Sequence, residues 1–157
     1  MEDIDLHKQH KSDQGAERRI SNIIIRHWSN ARGNNMLPTE EALDPNILEP
    51  VLDNCFLIKA KELRATGQHN YVYIGKNILD AYGSQYTTPK DYHDIDPLSH
   101  KDKIEEILRT MKPVTSEGEF VNKEGHVVKY RQCLVPLSKD GYTIESIFGG
   151  MRFKVFE

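Results

Sequence analysis

The chain carries 157 residues with a formal net charge of -3, 29% of them charged and 38% hydrophobic. That length suits one α+β domain and leaves little room for a second, and its interspersed acids and bases give no broad positive field for nucleic acid or an anionic membrane. No apolar run approaches the ~20 residues of a membrane span, no signal-peptide core opens the chain, and two cysteines without CxxC spacing are too few for a disulfide scaffold or a zinc site, so a soluble cytoplasmic protein is expected.

Residues 1–15 are polar apart from Ile4 and Leu6 and predict a mobile arm, since so little apolar surface cannot offset the entropy of ordering. The single domain is expected over 16–157. It begins with a helix over 16–32, where Ile20, Ile23, Ile24, His27, Trp28 and Ala31 repeat at helical spacing before Gly33. Asp44 before Pro45 marks a capped short helix running to about Asn54. Phe56, Ile58 and Ala60 then alternate with their neighbours, as do Tyr71, Tyr73 and Gly75 beyond the Thr66-Gly67-Gln68 turn, which reads as an antiparallel hairpin. A short helix from Asn77 to Tyr82 stops at Gly83, and a polar loop follows over 84–93. A second amphipathic helix carries Ile104, Ile107, Leu108 and Met111, with Ser99 and Asp102 in capping-box spacing and Pro113 beyond its end. Three long strands over 114–122, 126–137 and 142–156 close the chain, separated by turns at Lys123-Glu124-Gly125 and Lys139-Asp140-Gly141.

The side chains that could carry chemistry are few. His93, Asp94, Asp96, Ser99 and His100 stand close enough in sequence to suggest a metal site, but Asp and Ser gather at helix entrances as caps, and capping is the preferred reading. His100 sits in a polar first turn, a poor place for a haem ligand. No cysteine lies between Gly75 and Pro97 to support covalent flavin chemistry, and no nucleophile elbow, P-loop or dinucleotide motif is present. Cys55 and Cys133 lie among apolar residues and read as small hydrophobes. Gly149-Gly150 inside a strand suggests a bulge or a close backbone approach. No cofactor and no metal are expected, so the purified protein should show neither Soret nor flavin absorbance.

Several spaced elements resemble a family of short, mostly stand-alone bacterial PAS proteins. These are His27-Trp28, Arg32-Gly33, Pro38, Asp44-Pro45, the strand Tyr71-Val72-Tyr73-Ile74-Gly75, Ala81-Tyr82-Gly83, Val135-Pro136-Leu137 and Ile147-Phe148-Gly149-Gly150. The resemblance covers roughly positions 20–153 and departs at Glu40 and Glu41, where relatives often carry a basic residue. It implies an α+β fold, a PAS-like five-stranded antiparallel sheet faced by helices and preceded by the amphipathic helix. It also implies a sensory or regulatory module without catalysis of its own, one that binds a small molecule, a protein partner or both; a partner is expected because no output segment is evident. Candidate cavity-lining residues are Phe56, Ile58, Tyr73, Tyr82, Ile107, Phe120, Tyr130 and Phe148, all bulky positions on elements expected to face one another; plain core packing is the alternative for each. A homodimer is expected through the first helix, with Ile20, Ile24, Ile25 and Trp28 as the candidate interface, since Ile25 projects about 100° from Ile24. Two other readings stand beside this one: a ketosteroid-isomerase or NTF2-like cup enzyme using Glu117 or Glu119 with Tyr130, and a purely structural interaction domain with a filled core.

Overall fold

The computed structural model describes residues 20–59, 71–83 and 98–157, with side chains from 103 onward in the last span. The arm at 1–15, the Thr66-Gly67-Gln68 turn and the 84–93 loop lie outside the described residues. Strands β1 (Cys55–Lys59), β2 (Tyr71–Ile74), β3 (Val114–Val121), β4 (Val127–Ser138) and β5 (Ile144–Phe156) form one antiparallel sheet in the order β2-β1-β5-β4-β3. Helix α1 covers residues 20–32, followed by α2 (Pro45–Leu48), α3 (Lys76–Tyr82) and α4 (Leu98–Thr110). Helix α4 starts one residue before Ser99, so Ser99 falls inside the helix and not at its cap.

Two adjacent glycines define the faces of the sheet. A Cβ at Gly150 would run into Ile20 and Ile24 of α1, whereas one at Gly149 would run into the Phe56 ring. Because successive residues of a strand point to opposite faces, Cys55 and Cys133, in register with Gly150, lie under α1 on an outer face. Phe56 and Leu134, in register with Gly149, lie on the inner face. The close backbone approach expected at these glycines is observed, once on each side.

Helix α1 uses its apolar stripe on its own sheet. Ile20, Ile24, His27 and Trp28 are buried, and Ile23 and Ile25 pack against the same core. The Trp28 indole Nε1–H donates to the Pro136 carbonyl at 2.6 Å. Strand β3 begins at Val114, opposite Leu134, so β4 has an open edge at Pro136, where a residue lacking an N–H is tolerated. The Asp44 amide donates to His27 Nε2 at 2.8 Å, and the Asp44 carboxylate caps α2 by accepting from the Asn46 amide at 2.9 Å. Gly33 then turns the chain with φ +53°, a conformation that disfavours a side chain.

At Glu40, the departure from the pattern of relatives, the carboxylate accepts from Lys59 Nζ on β1 at 2.6 Å and so ties the segment before α2 to the sheet. Burial pushes its pKa up, but the hydrogen bond and charge of Lys59 outweigh that and hold it below the usual carboxylate value. A depressed carboxylate stabilises the fold above the unfolded-state pKa, and that contribution is lost as pH falls through the folded value. Glu40→Gln is therefore expected to cost about 1 kcal/mol near neutrality, with the difference from wild type shrinking as the pH falls through and below the carboxylate range. Urea titrations across that range check it; a difference that is constant with pH refutes the ionic account.

Candidate functional site

The inner face is built by alternation along three strands. Tyr130, Gln132 and Leu134 of β4 share it with Ser116, Gly118 and Phe120 of β3 and with Ile147, Gly149 and Met151 of β5, because these residues fall on one face in the pairing register. Aromatic rings run along one side of it. Tyr82 of α3 stacks on Phe120 at 4.5 Å between centroids with 16° between planes, and Phe120 lies 6.0 Å from Tyr130. Gly118 lets the Tyr130 ring lie directly against β3, since a Cβ there would meet the phenol. Burial raises the Tyr130 pKa above the ordinary phenol value, so the ring presents a neutral hydroxyl at neutral pH.

Asn122 positions Tyr82. The Asn122 side chain donates to the Ala81 carbonyl at 3.0 Å, the Lys123 amide donates to the Tyr82 carbonyl at 3.0 Å, and Asn122 Oδ1 accepts from the Glu124 and His126 amides. One buried residue thus shapes the β3–β4 turn and fastens it to the end of α3. On the same face Gln132 Nε2 donates to Ser116 Oγ at 3.0 Å, setting a buried amide and a hydroxyl among the rings. At the other end Phe56 packs edge-on to Tyr71, with centroids 6.0 Å apart.

Six of the eight residues expected around a cavity reach this core: Phe56, Ile58, Ile107, Tyr82, Phe120 and Tyr130. Two do not belong to the inner face. Phe148 pairs with Leu57 and Val135, on the Gly150 side, and is buried beneath α1. Tyr73 also pairs with Leu57 and stands 36% exposed, its hydroxyl donating to the Leu52 carbonyl. A register irregularity at Val72 is the cause: Ile58 pairs with Tyr71 and Leu57 with Tyr73, and an extra residue reverses the alternation beyond it. Sequence reasoning missed Asn122, Gln132 and Tyr71. Gln132 was within reach of it, because a residue two places from Tyr130 in a strand shares its face.

The first-helix residues expected to form a dimer interface are already engaged. Ile20, Ile24 and Trp28 are buried against their own sheet, while Ile25 is half-buried beside them and keeps part of its surface outward. The acids and phenol of the cup-enzyme reading do not converge either: Glu117 and Glu119 point to the outer face and are exposed, while Tyr130 lies on the inner face. Glu117 instead accepts from Arg131 Nε at 3.1 Å. It lies in a cleft of about 410 Å³ lined by Ser21, Asn22, Thr115, Ser116, Glu117, Arg131 and Gln132, where α1 passes the β3 edge.

The two thiols lie on the outer face beneath α1, on either side of Gly150. Burial pushes both up, Cys133 to about 11. They are two strands apart, roughly 9.6 Å between Cα atoms, which exceeds disulfide reach. Labelling by a thiol reagent at about pH 8 should therefore follow unfolding only; a fast native phase contradicts this placement. His93 to Pro97 lie outside the described residues, as do the side chains of Ser99 and His100. Among the described residues, no three His, Cys, Asp or Glu side chains come together as a metal site, and no helix is long and apolar enough to cross a membrane.

Comparison with solved structures places this architecture among known folds. The dark structure of the blue-light photoreceptor Aureochrome1 LOV superposes with a TM-score of 0.50 at 13% identity, covering 70% of this chain and 80% of that one. The PAS domain of the fruit-fly ELK potassium channel gives 0.45 at 19% identity, covering 66% and 85%. The N-terminal domain of a diguanylate cyclase with PAS/PAC sensor from Marinobacter aquaeolei gives 0.44 at 14%, covering 62% and 90%. No curated protein matches the sequence. A PAS-domain family profile matches residues 17–152, from the start of α1 through most of β5, and with the sheet order and helices described above the chain belongs to the PAS domain family.

Proposed function

We infer that this PAS domain is a sensory or regulatory module that takes a small molecule against its inner face, passes the change to a protein partner, and pairs as a homodimer without catalysis of its own. The observation that carries the reading is the run of Tyr82, Phe120 and Tyr130 rings beside the Gln132–Ser116 amide–hydroxyl pair. Large apolar surfaces with a few placed polar groups are what small-molecule sites use for affinity and orientation. A planar, largely apolar ligand with one hydrogen-bonding edge fits that chemistry. The sensing unit spans residues 16–157 with 1–15 as an arm. A bacterial setting rests on the resemblance carried by Trp28, Asp44-Pro45 and Gly149-Gly150, and a cytoplasmic one is proposed alongside it.

A second reading, a structural interaction domain with a filled core, is favoured by Phe56 lying over Gly149 and Tyr130 over Gly118, which occupy space a ligand would need. Native mass spectrometry of freshly purified protein, compared with denatured protein, separates the two. The sensory reading expects a defined extra mass that denaturation releases and that Phe120→Ala no longer retains. A bare chain mass, together with no chemical-shift change in the Tyr82 and Tyr130 rings on titration with indole, favours the filled core.

A further inference from the structure

Helix α1 covers only part of the outer face and leaves the rest of it open. It lies over Gly150 and Cys133, while Thr115, the β3 member of that row, stays exposed beside it. The next row on the same face is Glu117, Arg131 and Arg152. Between the two rows the paired residues Ser116 and Gln132 turn their side chains to the inner face by alternation. Their backbone is therefore the floor of the cleft of about 410 Å³, and Ser21 and Asn22 of α1 are its wall. Every residue lining it is polar, in contrast to the rings on the inner face, and its volume falls within the roughly 300–1,000 Å³ of small-molecule sites.

The charges in the cleft select its ligand. Glu117 accepts from Arg131 Nε at 3.1 Å, the two standing side by side on neighbouring strands and both largely exposed. A simple anion brought to Arg131 is repelled by Glu117, and a simple cation brought to Glu117 is repelled by Arg131. A zwitterion satisfies both, its carboxylate on the guanidinium and its ammonium on the carboxylate. Beyond this pair the face carries surplus positive charge: Arg152 beside Arg131, and Lys129 and Lys154 in the next row against Glu119. In a chain of net charge -3 that local surplus suits a ligand with one more negative group. We propose that the cleft binds an acidic α-amino acid, on the side of the sheet opposite the inner face and independently of the ligand reading given above. A guanidinium carries five donors in a planar fork, so Arg131 can hold Glu117 through Nε and the ligand's α-carboxylate through other donors, exchanging contacts it makes at rest. The ammonium sits on Glu117 with the Ser21 and Thr115 hydroxyls as further acceptors. The side-chain carboxylate reaches toward Arg152, one strand spacing of roughly 4.8 Å further along the row.

The test is heteronuclear NMR of the full chain titrated with L-glutamate and L-aspartate. Saturable amide shifts are expected at Ser21, Asn22, Thr115 and Arg131 with at least one of the two, while the Tyr82 and Tyr130 rings stay still. Glutarate, which lacks the ammonium, and γ-aminobutyrate, which lacks the α-carboxylate, should each bind about tenfold more weakly than glutamate or worse. Arg131→Gln should weaken glutamate by about the same factor. Glu117→Gln should exchange the preference, weakening glutamate and strengthening glutarate because the repelling carboxylate is gone; a purely structural ion pair predicts no such exchange. Both positions are exposed, so unchanged melting temperatures are expected and confirm that the variants fold. No saturable shift with either amino acid up to about 10 mM overturns the site and leaves the inner-face reading standing. Glutarate binding as tightly as glutamate shows a plain anion site and refutes the amino acid. Shifts confined to Tyr82, Phe120 and Tyr130 put glutamate on the inner face and refute the cleft.

Discussion

Replacing Trp28 by alanine is expected to lower unfolding free energy by ~3–5 kcal/mol, the range for truncating a buried aromatic. The indole is almost fully buried between α1 and the outer face, and its Nε1–H donates to the Pro136 carbonyl at 2.6 Å. Alanine removes both the packing and the donor. Trp28→Phe keeps most of the apolar surface but takes the indole N–H away from that buried carbonyl, so it should cost about 1–3 kcal/mol. Denaturant unfolding followed by circular dichroism reads both variants, with an unchanged m-value confirming that the native state is compared like for like. Trp28 is the single tryptophan, so wild-type emission also reports whether α1 remains docked. A Trp28→Ala protein as stable as wild type would show that α1 is not held through this side chain.

The second large effect belongs to Gly149. A Cβ at this position falls against the Phe56 ring, itself fully buried on the inner face. Gly149→Ala should therefore cost ~1–3 kcal/mol by overpacking, and Gly149→Val more. If the clash is with Phe56, trimming that ring to leucine should recover part of the loss, and the double-mutant cycle should show favourable coupling of about 1 kcal/mol. Gly150→Ala gives the contrast, because its Cβ meets the ends of the Ile24 and Ile20 side chains, which can rotate away more readily than a ring wedged on a strand. Equal costs at the two glycines, or additive effects of Gly149→Ala and Phe56→Leu, would refute the assignment of faces.

That assignment is where reading the sequence succeeds and then stops. Most described elements were legible, and for local reasons. Asp44 and Pro45 open α2 because a carboxylate caps free amides and proline's fixed φ suits the first turn. The stripe from Ile20 to Trp28 repeats at helical spacing and is the face that α1 buries. Strand β3 shows clean alternation because it is an edge strand with one wet face.

Strand β5 shows no such alternation, being buried almost continuously from Ser146 to Met151 between α1 and the inner core. Bulk alone then nominated Phe148 for the inner face, whereas it stands on the other side of its strand. At Tyr73 alternation was visible but misleading, because one register shift at Val72 reverses every side chain after it. The Glu40–Lys59 pair, 19 positions apart, and the Trp28–Pro136 bond, 108 apart, have no local signature. Helix position and strand count were written in periodicity, caps and turns, which act over a few residues, and the family in a resemblance carried by short motifs such as His27-Trp28, Asp44-Pro45 and Gly149-Gly150. Which face each aromatic serves, what α1 covers and which half of the outer sheet stays open were decided by register and packing between distant segments, and these exist only once the chain has closed on itself.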